Sequence, residues 1–94
     1  MDVIVHGRNV PPTLRTAALR KLGRLERMVR DLSRAEVDFT EERNPRIARR
    51  HRCAVVVEGR RERLAARASA PVPEAALDLA VDKLRHQVSR HHKR

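Results

Sequence analysis

Residues 3–40 read VIVHGRNVPPTLRTAALRKLGRLERMVRDLSRAEVDFT, and the spacing of their apolar positions changes twice. Val3-Ile4-Val5 is a β-branched run closed by Gly7-Arg8-Asn9, and Pro11-Pro12 stops any regular ladder from continuing. From Thr13, placed to cap a helix, Leu14, Ala18, Leu22, Leu25, Val29 and Leu32 follow the three-and-four spacing of one buried helical face. Ala35, Val37 and Phe39 then alternate with Glu36, Asp38 and Thr40, the period of a strand with one face wet. The spacing therefore predicts a strand, a helix over about Thr13 to Leu32 and a second strand. Such a unit favours a right-handed crossover between parallel neighbours.

Beyond it, Glu41 to Arg52 holds Asn44-Pro45 and five arginines without apolar period, and reads as a long basic hairpin loop. Cys53, Val55 and Val57 supply the inward set of a third strand. Glu58-Gly59-Arg60-Arg61 is a turn, and Leu64, Ala66 and Ala68 carry a fourth strand. Pro71 and Pro73 end that strand and open a second helix, because proline is tolerated in the first helical turn. Leu77, Ala80, Val81, Leu84 and Val88 fall within roughly a 100° arc of that helix, and Ser89 to Arg94 is expected to fray. The expected fold is α+β in two layers, β-α-β-β-β-α: a four-stranded mixed sheet with two helices packed on one face, a single domain over residues 1–94.

The chain has 94 residues, 40% hydrophobic and 36% charged, which suits one small folded domain and excludes a two-domain enzyme. Lys plus Arg number 22 against 12 Asp plus Glu, a net charge of +10 that points to a polyanionic partner. Of those cations 19 are Arg, the side chain suited to bidentate contact with phosphate, although GC-rich coding raises Arg over Lys as well. A lone cysteine, Cys53, excludes an internal disulfide, and Met1-Asp2-Val3 begins no secretory signal, so the reading is cytoplasmic. No apolar stretch approaches the ~18 residues of a membrane span, and no aromatic face exists for an interfacial anchor.

Arg20, Arg24, Arg27 and Arg30 fall opposite the leucine stripe of the first helix, within ~120° of one another. Lys83, His86 and Arg90 point away from the core stripe of the second. One charged row is ordinarily solvated surface, but two helices side by side would merge these rows into a basic surface matched to phosphates. With Phe39 the one aromatic, base stacking is not available, so contacts should go to phosphates and sugar hydroxyls of structured RNA. Gly7, Gly23 and Gly59 are isolated and build no phosphate cradle, and no Ser or Cys stands in a nucleophile motif; no enzyme, cofactor or small-molecule substrate is expected. Cys53 reads as a core residue. His51, Cys53, His91 and His92 lack zinc-ligand spacing, so no metal site is expected.

Five stretches, in this order and spacing, carry a family resemblance: Asp2-Val3-Ile4-Val5 with Gly7-Arg8-Asn9-Val10; Leu14-Arg15; Lys21-Leu22-Gly23-Arg24-Leu25-Glu26-Arg27; Ala35-Glu36-Val37; and Ala76 to Leu84 leading to Gln87 and His91. Over essentially its whole length the chain resembles the ribosome hibernation-promoting factors, also called ribosome-associated inhibitors. The resemblance implies a domain shaped like a double-stranded RNA-binding domain, seated in the decoding channel of the bacterial small ribosomal subunit. There it would occlude messenger and tRNA, inhibit translation and preserve idle ribosomes under stress or in stationary phase. Arg24, Arg27, Lys83 and Arg90 match the family's basic positions, and His86 replaces a common Arg or Lys. Arg8, Arg20, Arg30 and Lys93 complete the expected rRNA-binding set. Ala17, Met28 and Glu74 stand where the family often has aromatics, and the turn between Val10 and Leu14 looks shortened. Long members carry a C-terminal dimerisation domain to which nothing here corresponds, so the chain is expected to be a short form or the N-terminal domain of a long form, monomeric as these 94 residues. The alternative is a general structured-RNA-binding or ribosome-assembly protein that leaves decoding open. Reversal of Arg24, Lys83 and Arg90 is expected to abolish binding with thermal unfolding nearly unchanged.

Overall fold

The computed structural model describes residues 1–48 and 50–92, with backbone alone for 89–92. Six elements follow in the order β1 (Asp2–His6), α1 (Pro12–Met28), β2 (Leu32–Glu41), β3 (His51–Gly59), β4 (Arg63–Ala70) and α2 (Pro73–His92). The four strands lie in the order β1-β2-β3-β4, with β1 parallel to β2 and the other two pairs antiparallel. This is the mixed sheet in two layers that the alternation of patterns predicts.

Register puts the alternating apolar residues on one face. Val3 and Val5 of β1 pair with Ala35 and Val37, which pair in turn with Val57 and Val55, opposite Leu64 and Ala66 of β4. Both helices bury their stripes on that face: Leu14, Ala18, Leu22 and Leu25 from α1, and Leu77, Ala80, Val81, Leu84 and Val88 from α2. Among the described residues no charged or polar residue is buried. Most inward positions are Ala, Val or Cys, so the core fills by close approach of the layers rather than by large side chains.

Helix α1 begins one residue earlier and ends four residues sooner than the spacing predicts. Its N-terminal flank is Pro11, extended at φ −64° and ψ 149° because a proline follows, and Pro12 takes the first helical position; no side chain caps the end, so Thr13 does not. At the other end Val29 is extended, its N–H donating to the Leu25 carbonyl at 3.2 Å, and Asp31 adopts the left-handed conformation at φ 67°. A short acidic side chain tolerates that conformation, and the chain reverses there. Val29 and Leu32 are buried all the same, Leu32 as the first residue of β2. The helical spacing thus extrapolates through a turn whose apolar residues meet the same core.

β2 is accordingly longer at both ends than Ala35 to Thr40, and α2 continues through His92 rather than fraying from Ser89. Residues 93–94, also expected to fray, lie outside the described residues. Of the positions where the family resemblance expects aromatics, Ala17 is buried in the core, whereas Met28 and Glu74 are exposed. The missing aromatic at Ala17 is therefore a packing difference, and the other two alter only the surface.

Gly59 closes β3 against the start of β2, and a Cβ there would stand 2.5 Å from the Asp31 carbonyl oxygen. Since the obstacle is backbone, the ends of both strands must move to admit a methyl group. Gly59→Ala is expected to destabilise by about 1–3 kcal/mol. Thermal unfolding followed by far-ultraviolet circular dichroism should show a midpoint lower by ~4–8 °C per kcal/mol.

Candidate nucleic-acid interface

The amphipathic pattern of α1 leaves Arg20, Arg24 and Arg27 exposed on the side away from the sheet. They are spaced three and four apart, so the guanidinium groups form one ridge along the second half of the helix. Among the described residues none of the three enters an ion pair, and the neighbouring Glu26 is held by the Met1 amino group at 2.8 Å. Arg27 also sits in the last turn, where the exposed carbonyl dipoles favour a cation.

Arg30 is exposed but is not on this helix; it belongs to the reversal after Met28. That reversal brings it a partner the linear sequence hides. The Arg60 N–H donates to the Asp31 carbonyl at 3.3 Å, and Leu32 pairs with Gly59, so the turn carrying Arg60 and Arg61 lies beside Arg30. Arg60 and Arg61 were invisible as site residues because only strand register joins residues 30 positions apart. Arg8 lies at the other end of the sheet, exposed in the turn between β1 and α1.

The row on α2 divides. Lys83 turns toward the free edge of β4, where its Nζ donates to the Arg67 carbonyl at 2.7 Å. One turn later Gln87 donates to the Ala65 carbonyl at 2.9 Å. The spacing i, i+4 on a helix thus meets i, i+2 on a strand, and two carbonyls of an edge strand are covered. His86 is exposed, with Nδ1 3.7 Å from the Asp82 carboxylate. Arg90 lies on α2, but its side chain is outside the described set, as is all of Lys93.

Between the helices runs a groove lined by Lys21, Arg24 and Met28 of α1 and by Asp78, Asp82 and Arg85 of α2. Lys21 is ion-paired with Asp78. The two basic rows are therefore not continuous: two carboxylates lie between them, and Arg85, which sequence reasoning passed over, faces the α1 ridge instead of Lys83. A wheel drawn against the core stripe alone does not reveal which flank of α2 meets α1 and which meets β4.

Cys53 is buried on β3, and burial, with a smaller contribution from the Asp38 charge, pushes its thiol from 9.0 up to about 12. Such a thiol stays protonated and is not a nucleophile at neutral pH. No group of three His, Cys, Asp or Glu side chains is placed to hold a metal among the described residues, and none of their helices is long and apolar enough to cross a membrane.

Comparison with known proteins brings the fold and these basic elements together. The family model described as sigma 54 modulation protein / S30EA ribosomal protein matches residues 3–94. The chain belongs to that family. It is the ribosome hibernation family that the sequence resembles. Among solved structures, a ribosomal subunit interface protein from Coxiella burnetii is similar at 20% identity and a TM-score of 0.80, with all of both chains covered. The N-terminal domain of Protein Y from Thermus thermophilus is similar at 26% identity and a TM-score of 0.78, with 97% of this chain and 99% of that one covered. Comparison with curated proteins found no match. The S30EA fold in this chain thus carries its cations on the α1 ridge, on the Arg30–Arg60 end and on the flanks of α2.

Two measurements test these placements. Lys83→Met keeps the aliphatic stem and loses the bond to β4, so it should destabilise by about 0.5–1.5 kcal/mol, whereas Arg24→Met should stay within ~0.5 kcal/mol. This revises the expectation that charge reversal at Lys83 leaves unfolding unchanged. The raised Cys53 thiol stabilises the fold below pH 9.0, and that contribution is lost as pH rises from there toward about 12. Urea midpoints of the wild type should consequently fall more steeply above pH 9.0 than those of Cys53→Val.

Proposed function

We propose that this chain is a single ribosome-binding domain that docks on small-subunit rRNA in the decoding channel, excludes messenger and tRNA, and so holds translation in check. The observation that carries this reading is the family match over residues 3–94, which spans both layers of the fold. It is supported by the exposed Arg20, Arg24 and Arg27 ridge, whose guanidinium groups are not engaged by carboxylates among the described residues. Arg8, Arg30, Lys83, His86, Arg90 and Lys93 extend the proposed rRNA-contact set. The protein acts in the cytoplasm as a monomer, by occupancy rather than catalysis.

Phosphate contacts supply affinity and the shape of the domain supplies the site. A partner that neutralises several phosphates releases counterions, so binding weakens with salt by a slope of about 0.7–0.9 per contact. With few aromatics, recognition depends on backbone geometry and 2′-hydroxyls rather than on stacked bases.

Sedimentation with purified small subunits at two salt concentrations tests the proposal. Co-sedimentation should weaken with salt and disappear when messenger and tRNA already occupy the channel. Binding indifferent to occupancy overturns the decoding-channel reading in favour of a general structured-RNA or assembly role. Replacing Arg20, Arg24 and Arg27 by Glu should remove binding while the domain stays folded, because exposed substitutions cost about 0.5 kcal/mol each and loss of the Arg27 cation at the end of α1 adds at most about 1 kcal/mol.

A further inference from the structure

The reversal from β2 to β3 carries none of the proposed rRNA-contact residues, yet it holds more arginines than any other connection in the chain. Pairing of β1 stops at Asp38, whereas β2 and β3 continue together to Glu41 and His51. The hairpin end therefore projects past the β1 edge. Its tip is a built turn: the Glu42 N–H donates to the Arg50 carbonyl at 2.6 Å and the Ile47 N–H to the Asn44 carbonyl at 3.1 Å. The Asn44 Oδ1 accepts from the Arg46 N–H at 3.0 Å, and the Glu42 Oε1 accepts from the Asn44 N–H at 3.3 Å. A turn fixed by its own side chains presents its other residues at a reduced ordering cost.

Charge is sorted along the hairpin. Glu41 lies 3.4 Å from Arg50, and Glu42 lies 3.3 Å from Arg52, so the acids sit at the base with the base cations. Arg43 and Arg46, both exposed, enter no ion pair among the described residues. Two like charges held on one turn repel each other, and a bound anion relieves that repulsion. The ten residues of β2 separate this tip from the Arg30–Arg60 end, a span of roughly 30 Å at ~3.3 Å per residue. Both poles cannot rest on one short stretch of backbone.

We propose that the β2–β3 hairpin is a second RNA-docking element, in which Arg43 and Arg46 hold the sugar-phosphate backbone of a structured segment about 30 Å from the one held at the opposite end of the domain. The inference rests on the reading of the domain as an RNA-docking module. RNA is favoured over a membrane because Ile47 is the one exposed large apolar residue on the tip and no aromatic accompanies it.

The test uses the full chain as wild type, Arg43→Ala/Arg46→Ala and Arg43→Lys/Arg46→Lys. Two probes are titrated between about 50 and 200 mM salt: isolated small ribosomal subunits, and an RNA duplex of about 24 base pairs, longer than the ~16 that a double-stranded RNA-binding domain spans. Circular dichroism checks that each variant is folded. The alanine pair should lower the slope of log affinity against log salt by about 1.4–1.8, and the lysine pair should keep it, because charge is retained. If the wild type binds subunits and the alanine pair matches it in slope and affinity on both probes, the hairpin proposal is overturned while the proposed function stands. If the wild type binds duplex RNA but not subunits and the alanine pair loses slope, the hairpin proposal stands and the proposed function falls. A wild type that binds neither overturns both.

Discussion

Everything in this domain depends on covering one face of a four-stranded sheet with two helices when that face offers almost nothing large. Ala35, Ala66, Ala68, Cys53 and the inward valines Val3, Val5, Val37, Val55 and Val57 leave a shallow floor, and Phe39 is the one aromatic. Burial then requires the helices to come close, with Ala18, Ala76 and Ala80 at the contact and Leu22, Leu25, Leu77 and Leu84 filling what remains. Dispersion falls off steeply with separation, so a core of small side chains is stable only when the layers are in full contact. Gly59 belongs to the same constraint, since the end of β3 meets the Asp31 backbone with no space for a methyl group.

Close approach also determines what the polar side chains do. With α2 drawn down over β4, Lys83 and Gln87 reach the Arg67 and Ala65 carbonyls and cover an edge that would otherwise be open for pairing. With α1 drawn against α2, Lys21 pairs with Asp78 across the groove. The acids are largely absorbed in such local pairs: Glu41 and Glu42 at the hairpin base, Glu58 with Arg63, Glu36 with Arg34. What remains outward is arginine, on the α1 ridge and at both ends of the sheet. A net charge of +10 thus becomes surface potential at defined places rather than a uniform coat.

Much of this was legible beforehand. The alternation around Val37 and Val55 and the stripes from Leu14 to Leu25 and from Leu77 to Val88 named the core correctly, because burial on one face imposes its period on the sequence. The end of α1 was not legible, since Val29 and Leu32 satisfy a helical period while sitting in a turn and a strand. Asp31 was the local signal, a residue type that accepts the left-handed conformation. In the candidate interface, Arg20, Arg24 and Arg27 could be placed from the wheel alone. Lys83 and Arg85 could not, because their surroundings belong to β4 and α1 rather than to their own helix.

The sequence by itself determined the element order, the inward face of each element and the sign of the surface, since each of these is a property of residues within one or two turns or one strand. Only the tertiary structure decided which cations face outward together: that Arg60 and Arg61 join Arg30, that Lys83 holds the β4 edge, and that Arg43 and Arg46 stand on a closed turn beyond the carboxylates. The physical reason is that charge neutralisation acts through space over a few ångströms. Register and helix packing, not separation along the chain, set which charges come that near.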